Sequence, residues 1–390
     1  MAQAADELRQ NVLDEQYESH LRLAWAANGD PRAIVTVIEV SAKVSTNRVY
    51  RLQLDDESSV VAKVSSYGSY FLFREDHDRI YRTREALQET RWAGLLADVL
   101  TERPEPEPGP GEPPHKETWK VGPRRYGPVR AGQRPHVFTF YDGGLWTAFY
   151  QDVPQQFALP RILSDGQVAD LGEEMGLLHR DCTDAARRIP PSSKSIKSDA
   201  IHLLDLLSDK HSSVKFQYDA AQKQYLRSQC HEFLEQLDRF GYDDWTRIPV
   251  LIDWNLGNFS VSMARQQVRL FSRWDYDWFR IEPRMMDMYF LSRVASATGD
   301  KTVFSYSPHP LLEPRFKHLL TAYHRIFPLN ENEILFLREV YRFFILNYVV
   351  REGDNFFQPM YWHRLQQEAV SMCLPAAERL DLTPLLEILD

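Results

Sequence analysis

The chain has 390 residues and is 43% hydrophobic, 26% charged and 12% aromatic, which excludes a disordered, collagen-like or coiled-coil protein and leaves room for two or three folding units. A net charge of −9 works against a surface built mainly to hold nucleic acid. Three widely spaced cysteines, Cys182, Cys230 and Cys373, support neither a disulfide framework nor a thiolate zinc site and point to a reducing compartment.

Residues 5–27 read as a helix with Leu8, Val12, Leu13, Leu21, Leu23 and Trp25 as a patchy apolar face, stopped by Asn28-Gly29-Asp30-Pro31. The first eighteen residues have no apolar run of the kind a secretory leader needs. Runs 33–40, 48–54 and 59–64 are rich in β-branched residues, and a turn at 55–58 joins the last two, so an antiparallel meander is predicted. Ile80, Leu87, Trp92, Leu95, Leu96 and Val99 then predict one long helix over 76–100. Proline and glycine in 103–114 specify a solvated linker. Strands resume at 119–121 and 136–141, and Asp142-Gly143-Gly144 reads as a pivot between lobes. Helices are predicted at 167–181, 197–208, 216–240, 284–298, 313–326, 331–350 and 361–388. Short strands at 248–252 and 268–271 interrupt them and bracket polar loops.

The expected fold is therefore α+β: an N-terminal helical extension (1–31), a small antiparallel-sheet lobe with one major helix (32–142), and a larger mostly helical lobe (143–390) containing a hairpin over 248–287. The longest strongly apolar stretch, 343–350, is interrupted by Asn347 and too short to cross a bilayer, so no membrane partner is expected and a cytoplasmic location is.

Polar residues concentrate in the hairpin. In Leu251-Ile-Asp-Trp-Asn-Leu-Gly-Asn-Phe-Ser-Val261, Asp253 and Asn258 stand five apart on a loop between strands. In phosphoryl transfer a carboxylate positions or deprotonates the attacking hydroxyl, and an asparagine on the same loop turns back to a magnesium ion. An ordinary Asx-turn would give the same spacing. Seventeen residues on, a strand-like run ends in Asp275, placed for a second metal contact, with Asp277 as the alternative ligand and Asp287 twelve residues after Asp275.

In these segments the sequence resembles the aminoglycoside phosphotransferase-like family, small-molecule kinases with a protein-kinase-like two-lobe fold. Leu251-Ile252-Asp253 through Asn258-Phe259 resembles the family's H-G-D-x-x-x-x-N, and Trp274-Asp275-Tyr276-Asp277 with Asp287 resembles its I-D-[FW]-[DE] and the following aspartate. Ser45-Thr-Asn-Arg-Val-Tyr-Arg-Leu52 resembles the segment that follows the family's nucleotide-covering loop, and Val60-Val-Ala-Lys63 resembles the strand bearing its ATP-binding lysine. The resemblance implies Asp253 as catalytic base, Asn258 and Asp275 as magnesium ligands, Asp287 as a brace of the catalytic loop, and Asn47 and Lys63 at the ATP site. Lys63 would pair with Glu85, with Glu89 on the same predicted helix face as the alternative. A plain edge-strand lysine turned to water is the competing reading of Lys63. Two departures stand out: Leu251 replaces the family's histidine, and 41–45 has no glycine where a phosphate-covering loop usually does.

His179-Arg180-Asp181 spells H-R-D, but Ala186, not asparagine, lies five positions on, and the triplet reads as the C-terminal end of an amphipathic helix. No G-x-x-x-x-G-K-[ST], H-E-x-x-H or G-x-S-x-G occurs, and no A-P-E-like element follows Asp275 as in a protein kinase. Two functions remain: an ATP- and magnesium-dependent kinase acting on a small-molecule hydroxyl (an aminoglycoside, amino alcohol, sugar or hydroxyamino acid), or a pseudokinase that binds nucleotide or a partner without turnover.

Overall fold

The β-branched runs form the first three strands of a five-stranded antiparallel sheet: β1 (Ile34–Glu39), β2 (Arg48–Leu54) and β3 (Ser59–Ser65). The computed structural model describes residues 2–41, 47–103, 136–209, 216–300 and 305–390, with side chains from residue 14 onward. All but the first residue of the predicted linker, the strand at 119–121 and nearly all of the glycine-free stretch 41–45 lie outside the described residues. The chain forms two compact units, 1–81 with 97–152 and 82–96 with 153–390.

In the first unit helix α1 (Ala2–Asn28) covers one face of the sheet. Leu21, Ala24 and Trp25 pack with Tyr50, Leu52 and Leu54 of β2 and Val60, Ala62 and Val64 of β3, the inward half of each two-residue alternation. Leu23, assigned to the apolar face from sequence, is exposed. The turn at Asp142-Gly143-Gly144 is not a pivot. It closes a hairpin between β4 (Thr139–Tyr141) and β5 (Trp146–Gln151), with the Asp142 carboxylate accepting the Gly144 and Leu145 N–H groups at 3.0 and 2.9 Å. The boundary expected at 142/143 therefore falls inside a hairpin. Strand β5 lies between β3 and β4 and makes β3 an interior strand.

Helix α2 covers Tyr70–Leu87, beginning earlier and ending sooner than the predicted 76–100. Trp92, Leu95, Leu96 and Val99 are buried as expected, but from turns and bridges; only their spacing imitates a helix. Glu89 consequently does not share a helix face with Glu85.

The second unit contains α3 (Asp165–Ala186), α4 (Ile196–Ser208), α5 (Ala220–Arg239), α6 (Met288–Ala295), α7 (Pro314–Ile326) and α8 (Glu331–Phe344), continued by a π-helical turn over Ile345–Arg351 and by short helices to the C-terminus. Ser164, Ser195, Asp219 and Asn330 start α3, α4, α5 and α8 with reciprocal capping boxes, so four helix starts are written locally. Helix α3 packs tightly on α7 through glycine: a Cβ on Gly172 would stand 2.3 Å from the Leu319 carbonyl oxygen. Gly172→Ala should force the helices apart and cost about 1–3 kcal/mol in urea denaturation. Gly166→Ala, with nothing nearer than 3.9 Å, should leave the midpoint nearly unchanged.

The single predicted hairpin is four strands in two antiparallel pairs, β6 (Ile248–Val250) with β9 (Arg280–Glu282), and β7 (Phe259–Ala264) with β8 (Gln267–Arg273). Arg265 and Gln266 make the two-residue turn of the second pair at φ 53° and 69°, left-handed values that favour asparagine or glycine. Carboxylates of α3 hold β8: Asp170 accepts the Val268 N–H at 2.8 Å, and the fully buried Glu174 accepts Leu270 N–H at 3.0 Å and Arg91 and Arg269 at 2.7 Å each.

Candidate active site

Loop 251–258 leaves β6 and enters β7, and loop 274–279 leaves β8 and enters β9, so the two loops emerge side by side. The Trp274 N–H donates to the Asn258 carbonyl at 3.0 Å. Within the first loop Asn258 Nδ2 donates to Asp253 Oδ2 at 2.9 Å and to the Asp253 carbonyl at 3.2 Å, while Asn255 Nδ2 donates to Asp253 Oδ1. Asp253 is partly buried. Burial first, and the negative charge of Asp275 second, push its carboxyl up to about 7, against the opposing pull of Arg273 and Arg293.

Two residues around this loop hold left-handed backbone, Ile252 at φ 58° and Asp275 at φ 64°. For a β-branched residue that is a true outlier, and such strain collects at functional sites. Asp287 holds it in place. Its Oδ1 accepts the Ile252 N–H at 2.6 Å, and its Oδ2 lies 3.0 Å from His179 Nε2, both groups being buried. His179 Nδ1 in turn meets the Tyr323 hydroxyl at 2.9 Å. A neutral imidazole protonated on Nε2 satisfies both contacts, so α3 and α7 are hydrogen-bonded to the loop through one carboxylate.

The H-R-D triplet thus lies within α3, not at its end, and Asp181 accepts Trp92 Nε1 at 2.8 Å. His179 is a structural partner of the site that the sequence reading set aside. A signal was present: with Leu171, Met175, Leu178 and Cys182 buried, position 179 falls on the inward stripe of the helix.

The described residues contain no group of three or more His, Cys, Asp or Glu able to hold a metal alone. Magnesium, however, commonly takes one or two carboxylates, with substrate phosphates completing its shell. Asp275 is exposed and close enough to raise Asp253, and two carboxylates of like charge beside an asparagine suit a divalent cation. Residues Asn258 and Asp275 therefore fit the group. Asp277 follows in the same loop, its N–H 3.4 Å from Asp275 Oδ1.

In the first unit, Lys63 is 7% exposed on interior strand β3, opposite Val49 and Ala148, so an edge-strand lysine turned to water does not hold. Continuing the register by one pair sets Asn47 against Ser65 on the same sheet face as Lys63, and Ser65 Oγ donates to Asn47 Oδ1 at 3.0 Å. Glu85 lies in the last turn of α2, in the segment assigned to the second unit.

No family model and no curated protein matches the sequence. Solved structures do match in fold. An amicoumacin kinase in complex with AMP-PNP, Ca2+ and Ami is 13% identical, with a TM-score of 0.57 over 96% of this chain and 97% of its own. A microcompartment-associated aminopropanol kinase is 13% identical, with a TM-score of 0.52 over 88% and 92%. A Plasmodium vivax ethanolamine kinase is 10% identical, with a TM-score of 0.52 over 88% and 83%. The chain has the protein-kinase-like fold of these small-molecule kinases.

Proposed function

We propose that the protein is an ATP- and magnesium-dependent kinase that transfers the γ-phosphate to a hydroxyl of a small molecule. The observation that carries this reading is the Asp253 carboxylate, joined to Asn258 and within the field of Asp275, on a fold shared with an amicoumacin kinase and an aminopropanol kinase. Asp253 would orient the acceptor hydroxyl and take its proton as the new O–P bond forms and the bond to the β-phosphate breaks. Asn258 and Asp275 would hold magnesium, which offsets phosphate charge. Lys63, paired with Glu85, would meet the α- and β-phosphates, with Asn47 supporting the same sheet face. The amicoumacin, aminopropanol and ethanolamine kinases favour an acceptor with both hydroxyl and amino groups.

Screening a library of hydroxyl compounds for magnesium-dependent ATP consumption tests the activity. Asp275→Asn should weaken magnesium-dependent nucleotide binding by about tenfold or more, and more than Asp253→Asn does, in a calorimetric titration. Equal affinities with and without magnesium in the parent would remove the metal role. Leu251, buried in place of a histidine, bears on turnover without an acceptor. Slow phosphate release that Asp253→Asn abolishes supports the enzyme, and tight nucleotide binding without any release supports a pseudokinase.

A further inference from the structure

Arg273 closes β8 two residues before Asp275 and is fully buried. Its Nη2 donates to the Asp253 carbonyl at 2.8 Å and its Nη1 to the Asn258 carbonyl at 3.1 Å. One guanidinium therefore bridges both ends of the Asp253–Asn258 interval. The residue is itself held: its N–H donates to the Leu95 carbonyl at 2.7 Å, its own carbonyl accepts the Tyr276 hydroxyl at 2.5 Å, and its guanidinium lies 5.5 Å from the Trp254 ring and 5.7 Å from the Tyr276 ring.

Burying a cation is costly, and an apolar side chain of similar length would fill this place with less desolvation. What an apolar residue cannot do is set the distance between two carbonyls. A planar fork with fixed donor directions can, and an ammonium cannot do so from one point. Both carbonyl partners are backbone, so the clamp fixes main chain whatever the side chains of Asp253 and Asn258 are doing.

We propose that Arg273 is a positioning residue for phosphoryl transfer: by spanning the Asp253 and Asn258 carbonyls it fixes the separation of the base from the magnesium ligand. The inference rests on the kinase reading above for its chemistry, and on geometry alone for the clamp. A loop released at both ends would misplace Asp253 by a fraction of an ångström to an ångström, and misplacement on that scale costs about 100-fold in rate.

The test compares the parent, Arg273→Met and Arg273→Lys by steady-state kinetics with ATP and magnesium and by amide hydrogen exchange of residues 251–258. Arg273→Met should lower kcat about 100-fold while the KM for ATP changes little, and should speed exchange in 251–258 but not in α3 or α7. Arg273→Lys, keeping one carbonyl bond, should fall between. A folded Arg273→Met with parental kcat, or with parental exchange in the loop, overturns the proposal. So does a rate loss matched by an equal rise in KM, or failure of both variants to fold, which would make Arg273 a stability residue only. A parent without turnover refutes the kinase reading instead, and loop exchange still decides whether the clamp exists.

Discussion

Asp253→Asn is expected to lower phosphoryl transfer by about 100- to 10,000-fold, the range associated with loss of a general base, while the protein stays folded and nucleotide still binds. Both carboxylate oxygens accept side-chain amides, from Asn255 and from Asn258. An amide at 253 can accept only one of them, so part of the loss will come from a disturbed loop. Parallel measurement of turnover and nucleotide affinity separates the two effects, and full activity in the variant would refute the assignment. The pH dependence gives a second check. Because burial raises the Asp253 carboxyl to about 7, kcat/KM measured with magnesium should climb with pH along an acidic limb set by this group, and the limb should lie below that value because the cation favours the carboxylate. Stability runs the other way. Between the ordinary 3.8 and about 7 the folded state keeps a proton that the unfolded chain gives up, so this group's contribution falls as pH rises through that window and is constant above it. Asp253→Asn should remove that slope.

Asp287→Ala should be the most destabilising of the loop substitutions. It strands the buried Ile252 N–H and His179 Nε2 together, and each lost partner costs about 1–3 kcal/mol. Ile252 can leave its left-handed backbone once the carboxylate is gone, and release of that strain, about 1–2 kcal/mol, offsets part of the cost. A net loss of about 2–3 kcal/mol should appear as a lowered urea midpoint, and activity should fall with it. Asp287→Asn can still accept the Ile252 N–H and should lose much less. An unchanged midpoint for Asp287→Ala would show that the loop is held by other contacts.

The fold was legible where local chemistry decides it. Richness in β-branched residues marked β1, β2 and β3, and the helix periods of the second unit from α3 to α8 emerged within a few residues of the observed bounds, whereas the helix expected at 361–388 is broken into short helical segments. Strand β5 was missed because Leu145–Tyr150 is almost continuously apolar, as an interior strand is, and shows no alternation. Helix α2 was overextended because residues buried from turns happened to fall at helical intervals. Around the site, the spacing of Asp253, Asn258, Asp275 and Asp287 could be read directly, since these residues lie within 35 positions of one another. The roles of His179 and Arg273 could not. His179 reaches Asp287 across 108 positions, and Arg273 looks in sequence like the outward charge of an amphipathic strand, although its side chain is turned wholly inward.

The turn between β7 and β8 has a practical consequence. Arg265 and Gln266 both occupy the left-handed region without being the residues that tolerate it, and Glu57, at φ 66° between β2 and β3, does the same. The β7–β8 turn sits at the end of the hairpin opposite Asn258 and Trp274. Arg265→Asn with Gln266→Gly, and Glu57→Gly, would relieve steric strain of about 1 kcal/mol per position. Such changes offer a route to a more heat-resistant protein for crystal growth and ligand soaking with the Asp253 loop left as it is.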